Sequence, residues 1–174
     1  MPLTNTYHIT WHTYGTWLPG DERGWVDRRR PEIQAGSTAL RKHAKSLLVQ
    51  EPVSLTVEQR RIVGREMRKH CRIRKWTLHA LNVLPTHVHA VLTAAVDPAT
   101  ARSQFKAWCS QRLNQHKGTQ QEWWVGGGDI QEIEDGVYLQ NAVIYVVEKQ
   151  EEPPLADEEE SAEPGKEPGA QATG

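Results

Sequence analysis

A chain of 174 residues with 21 Lys+Arg against 22 Asp+Glu, 37% hydrophobic and 25% charged, has the make-up of one ordinary soluble domain able to bury a core. No run approaches the ~18 consecutive apolar residues of a membrane helix, and Met1-Pro2-Leu3-Thr4 lacks the regions of a secretory signal, so a cytoplasmic protein without membrane association is expected. Cys71 and Cys109, without CxxC spacing, exclude a disulfide scaffold and a Cys-rich zinc module and read as buried thiols.

The charge is split along the chain. Residues 151–174 hold eight of the 22 acidic residues and only Lys166 among the basic ones, which leaves 20 Lys+Arg against 14 Asp+Glu in residues 1–150, a net charge of +6. Rich in Glu, Pro, Gly and Ala, the 151–174 segment reads as an acidic disordered tail, and residues 1–150 as the folded domain. Seven tryptophans beside clustered arginines fit either a polyanion surface with bases to stack on or a tryptophan-rich core.

In chain order, residues 6–18 alternate, with Tyr7, Ile9 and Trp11 on one side and His8, Thr10 and His12 on the other, and Pro19-Gly20-Asp21 ends this strand in a turn. Residues 20–54 have no sustained period apart from a helix-like piece at Leu40–Leu48 and read as a long insertion. Thr56-Val57-Glu58-Gln59 is a capping box that opens a helix with Val63, Met67 and Cys71 inward and a strongly basic outside. Trp76–Val83 and Thr86–Thr93, separated by Leu84-Pro85, form a hairpin. Asp97-Pro98 starts a helix with Phe105, Trp108 and Leu113 inward. A short strand is expected at Glu122–Val125, then a turn at Gly126–Gly128, then a last helix over Val137–Gln150 with Leu139, Val143, Val146 and Val147 in one stripe. The order β, α, β, β, α, β, α predicts an α+β fold: one antiparallel sheet of split-βαβ type with helices packed on one face.

The sharpest chemical feature is Thr86-His87-Val88-His89. Two histidines two apart on a strand point to the same side of the sheet, and imidazole is a common ligand for divalent metals, with carboxylate or amide oxygens completing the shell. A lone His-x-His also suits a plain polar sheet face, but Val88, Ala90 and Leu92 show that these histidines interrupt a strand whose other face is core. On the last helix Tyr145 shares a polar flank with Asn141 and Glu148. A phenol is a weak nucleophile until its phosphorus target is activated, which a divalent ion on His87 and His89 would do. His8 and His12 share a face of the first strand and could reach such a site; His79 is a possible neighbour of it, and Tyr138 an alternative nucleophile. Arg61, Arg65, Arg68, Arg102, Lys106 and Arg112 are candidate phosphate contacts or a solvated face.

Thr86–His89, the helix Ala142–Gln150, the opening Tyr7–Asp21 and Gln104–Trp108 together resemble the HUH single-tyrosine transposases, of the insertion-sequence 200/605 type or the REP-associated tyrosine transposases. The resemblance covers most of residues 5–150. It implies a ferredoxin-like sheet and metal-dependent (Mg²⁺ or Mn²⁺) cleavage and strand transfer of single-stranded or hairpin DNA through a 5′-phosphotyrosine, with a homodimer possible. His87 and His89 would be the metal ligands and Tyr145 the nucleophile. For the third ligand, Gln150 matches by residue type. On an ideal helix, however, it lies roughly 140° around from Tyr145, whereas Glu148 lies about 60° away, so both are carried. Two other readings stay open: a non-catalytic single-stranded nucleic-acid binder, and a small phosphoesterase built on His8-Ile9-Thr10.

Overall fold

The computed structural model describes residues 2–27 and 30–156, the side chains of 26, 27, 30 and 31 excepted. The arginine run at 28–30 and the acidic segment from 157 onward therefore fall wholly or largely outside the description. In chain order the elements are β1 (Thr6–His12), β2 (Trp25–Asp27), β3 (Arg30–Gln34), α1 (Thr38–Ser46), α2 (Val57–Arg74), β4 (Thr77–Val83), β5 (His87–Thr93), α3 (Pro98–Lys117), β6 (Asp129–Glu132) and α4 (Gly136–Glu148). The main sheet is antiparallel in the order β4-β5-β1-β6. Threaded as β1-α2-β4-β5-α3-β6, it is the ferredoxin-like arrangement of an α+β protein. None of the described helices is long and apolar enough to cross a membrane.

The pleat sorts the side chains. Ile9↔Ala90, Trp11↔Val88, Leu81↔Ala90 and Val83↔Val88 are register pairs on one face, all buried. Val63 and Met67 of α2 and Phe105 and Leu113 of α3 pack onto that face, with Trp11 stacked on Phe105 at 6.1 Å between ring centroids. Removing each such side chain from water is worth about 1.5–3 kcal/mol, so this layer drives the fold. The helices then divide: α2 and α3 share the apolar face, and α4 lies across the opposite one, its Ala142 and Val146 packed on Ala80, Val91 and Ile133.

Two elements differ from the sequence expectation. The last strand is Asp129–Glu132, paired with β1, rather than Glu122–Val125, where Trp124 makes only an isolated bridge to Thr13. Trp123 and Trp124 turn into the core instead, and the chain crosses to β1 at Gly128, where φ is 142° and a Cβ would lie 2.2 Å from Thr10 O. The insertion is not formless: β2 and β3 pair as a hairpin, and α1 begins at Ser37, whose side chain accepts from Leu40 N.

The capping box is formed as its spacing predicts, with Gln59 N donating to Thr56 Oγ1 at 3.1 Å and Thr56 N donating to Gln59 Oε1 at 3.0 Å. Thr56→Ala is expected to lower the stability by about 1 kcal/mol in urea unfolding, with no change in the far-ultraviolet dichroism of the folded protein.

Candidate active site

The face of the sheet away from the α2 and α3 layer carries imidazoles. His12↔His87 and Thr10↔His89 are cross-strand pairs in register, and Asn82↔His89 continues the row onto β4. His87 and His89 lie 5.0 Å apart between ring centroids, His12 stacks on His87 at 5.4 Å, and His8 lies 5.2 Å from His89. Each ring of the His-x-His pair is held by one nitrogen. His89 Nδ1 is 3.0 Å from both Thr10 Oγ1 and His8 Nε2, and His87 Nδ1 is 3.2 Å from Thr86 Oγ1. With His89 Nδ1–H donating to Thr10, and the Thr10 hydroxyl turned to His8 at 3.4 Å, the lone pair of His89 is left on Nε2.

Burial holds these rings neutral. His89 is pushed down to about 3, first by burial and then by the neighbouring His87, His8 and His12. His12 falls to about 4, by burial and then by His87 and Arg23. His8 and His87 are also lowered, in each case chiefly by burial. A neutral imidazole is the ligand form.

Helix α4 brings the phenol. Asp135 caps it through Tyr138 N, and the apolar contacts of Ala142 and Val146 seat its C-terminal half over the histidines. Tyr145, 48% exposed, has its ring centroid 5.9 Å from those of both His8 and His89. Tyr138, two turns earlier, bonds Gln131 instead, and His79 bonds Thr93 at the far end of β5. The helix stops at Glu148. Beyond it the chain folds back, so that Gln150 Nε2 donates to Tyr145 O at 3.1 Å and the Gln150 side chain comes near enough to His87 and His89 to raise their affinity for protons. Glu148 is exposed. The ideal-helix placement of Gln150 assumed a helix running through residue 150, and the helix stops two residues earlier.

Among the described residues no three His, Cys, Asp or Glu side chains come together as a metal cage. His87 and His89 are neighbours with the Gln150 side chain close by, and imidazole nitrogens with a carboxamide oxygen are donor types that suit an open divalent-ion site with positions left for water and phosphate. Glu151, which the sequence pattern did not single out, lies 3.8 Å from His87 Nε2.

The arginines of α2 and α3 are not part of this cluster. Arg61, Arg65 and Arg68 line a groove with Leu81, Val83 and residues 154–156, and Arg112 pairs with Glu66 across α2 and α3, at 3.8 Å. Arg102 lies beside Gly128. Lys106, pushed down to about 8 by burial and then by Arg102, donates to the carbonyls of Val125 and Gly127 and is near enough to influence His12.

No family model and no curated protein matches the chain. Two solved structures are similar to it. One, a REP-associated tyrosine transposase bound to a REP hairpin, shares 15% identity over 84% of this chain and 67% of its own, with a TM-score of 0.49. The other, a crystal structure of a candidate transposase from Deinococcus radiodurans R1, shares 14% identity over 81% of this chain and 86% of its own, with a TM-score of 0.43. No residue role rests on either likeness.

What sets the end of α4 was not visible in the sequence pattern. Asn82, fully buried, donates from Nδ2 to Val146 O and to Glu152 O, both at 3.0 Å. Arg60, 4% exposed, donates Nε to Val83 O at 2.7 Å and Nη1 to Glu152 Oε2 at 2.7 Å. The carbonyls that Asn82 holds bracket the stretch carrying Gln150, and the first of them belongs to the residue that follows Tyr145. The one available clue was a lone amide inside the apolar run Ala80–Leu84.

Asn82→Asp keeps the shape but turns a carboxylate toward two carbonyls. It is expected to cost about 3 kcal/mol in urea unfolding, more than Asn82→Ala. A second prediction concerns Asp21, 1% exposed and held at about 2 from its ordinary 3.8, mainly by hydrogen bonds from Arg23. Since the folded value lies below the unfolded one, this stabilisation is complete above pH 4 and fades as pH falls toward 2. Acid unfolding curves of Asp21→Asn should lack on the order of 2 kcal/mol of that dependence.

Proposed function

We propose that this chain breaks and rejoins single-stranded or hairpin DNA, with Tyr145 as the nucleophile and His87, His89 and Gln150 as the ligands of a divalent ion, Mg²⁺ or Mn²⁺. The observation that carries this reading is the meeting of one helix-borne phenol with the imidazole cluster, at 5.9 Å between the centroids of Tyr145 and His89. A divalent ion at that place supplies positive charge to the non-bridging phosphate oxygens.

The chain's own residues account for the remaining steps. Thr86, Thr10 and His8 fix the two ligand rings, so that no reorientation is required when substrate arrives. Asn82 holds the carbonyl of Val146, next to the phenol, and Arg60 ties Glu152 beyond the helix end. The Tyr145 oxygen forms a bond to phosphorus as the bond to the 3′-oxygen breaks, the phenolic proton passing through solvent to the departing hydroxyl. Tyr145 is exposed enough for that transfer. The resulting 5′-phosphotyrosine is itself a diester, so attack by another 3′-hydroxyl reverses the step without a nucleotide triphosphate, in line with the absence of a Gly-x-x-x-x-Gly-Lys-Ser/Thr loop from the sequence. All of these groups belong to one chain, so the proposed site needs no homodimer.

Incubation with labelled hairpin oligonucleotides and Mn²⁺ should give a covalent protein–DNA adduct that resists denaturation and is lost in Tyr145→Phe but kept in Tyr138→Phe. Tight binding with no adduct under any divalent ion would leave the protein as a DNA-binding module. For the third ligand, Gln150→Ala should weaken Mn²⁺ binding by about tenfold or more in calorimetry, and Glu148→Ala should leave it unaltered.

A further inference from the structure

Although α2 and α3 pack on the opposite face of the sheet and only Lys106 of α3 acts on His12, other cations approach the histidines. One lies in the loop that follows β1. Trp17 presents its ring to His12 at 4.5 Å between centroids, and the Arg23 guanidinium lies 3.7 Å from the Trp17 ring centroid on a face of the indole. Since His12 stacks on His87, a continuous ladder runs His87, His12, Trp17, Arg23 from the candidate metal ligands out to solvent.

The ladder is built rather than incidental. Trp17 Nε1 donates to Gly24 O at 2.8 Å. Arg23 donates Nε to Asp21 Oδ1 at 2.8 Å, Nη2 to Asp21 Oδ2 at 2.7 Å and Nη2 again to Thr16 O at 3.0 Å. Asp21 is in turn buried under the turn at Gly20, where φ is 87° and a Cβ would strike Arg41 N at 2.4 Å. These bonds hold one edge of the guanidinium; none of them uses Nη1, and half of the side chain is open to solvent. Arg23 is close enough to depress the affinity of both His12 and His87 for protons.

We propose that Trp17 and Arg23 form a nucleotide subsite beside the reacting centre, in which the guanidinium binds a backbone phosphate of single-stranded DNA next to the scissile one and the indole supports its base or sugar. The assignment rests on the DNA-processing reading for the identity of the ligand, and on the ladder alone for its place. The two Nη1 hydrogens that the bonds to Asp21 and Thr16 leave can donate to the oxygens of a phosphate whose charge the guanidinium offsets, and an indole is a sequence-tolerant stacking platform. The Asp21 pair has a purely structural alternative, the ordering of the loop, and the test must separate the two.

Salt dependence does so, because it counts phosphates neutralised. Binding of fluorescent oligothymidylate is measured without divalent ion, so that no chemistry intervenes, for the full-length protein and its Arg23→Gln and Asp21→Asn variants. Arg23→Gln, which keeps an amide to meet Asp21, should bind about tenfold more weakly at low salt and should lower the slope of log K against log salt by about 0.7, the single-strand value for one phosphate. Asp21→Asn loosens the same loop without removing the cation, so its slope should be unchanged or steeper. Equal slopes for Arg23→Gln and wild type, or an equal loss in both variants, would overturn the proposal. Should either variant fail to fold, ultraviolet crosslinking of the unaltered protein decides: a thymidine adduct on Trp17 supports the subsite, and adducts confined to other peptides reject it. These readouts are independent of the tyrosine adduct, so a catalytic failure and a subsite failure are distinguishable.

Discussion

The structure depends on the two-residue period of β1 and β5. Because β1 and β5 pair antiparallel with Ile9 opposite Ala90 and Trp11 opposite Val88, His8, Thr10, His12, His87 and His89 have no choice but the other face. A one-residue slip would bury the imidazoles under α2 and α3 and expose Trp11, an exchange of several large apolar contacts for unpaired polar ones. The hydrophobic layer thereby sets the register of the chemical layer, and α2 and α3 serve the site from the face opposite to it.

The second dependence is on the C-terminal stretch. α4 is seated by the apolar contacts of Ala142 and Val146, and polar bonds fix the chain at its last turn and beyond. Asn82 and Arg60 act on Val146, Val83 and Glu152. Residues that follow α4 are therefore part of the architecture up to at least Glu152, even though their composition belongs to the acidic segment. Local composition describes what a segment does in isolation, and a buried amide with two donor hydrogens can override it.

This contrast explains what the sequence made legible. The capping box, the hairpin and the His-x-His pair are local patterns with fixed periods, and each stands where its spacing puts it. The placement of β6 failed at Trp123-Trp124, because aromatic residues favour strands but here fill the core from an irregular stretch. The position of Gln150 was obscured by an assumption of ideal helix geometry two residues too long. Asn82 and the Trp17–Arg23 pair were invisible for a different reason: their meaning comes from partners 64 to 70 residues away, or from a loop's return path, and neither has a period.

One consequence follows from α4 crossing the sheet of its own chain. Phenol, imidazoles and carboxamide are tethered by a single polypeptide, so their local concentration is set by the fold and not by how many copies are in solution. Dilution leaves the constellation intact. A lone copy expressed at trace level in a cell retains every group that the geometry brings together.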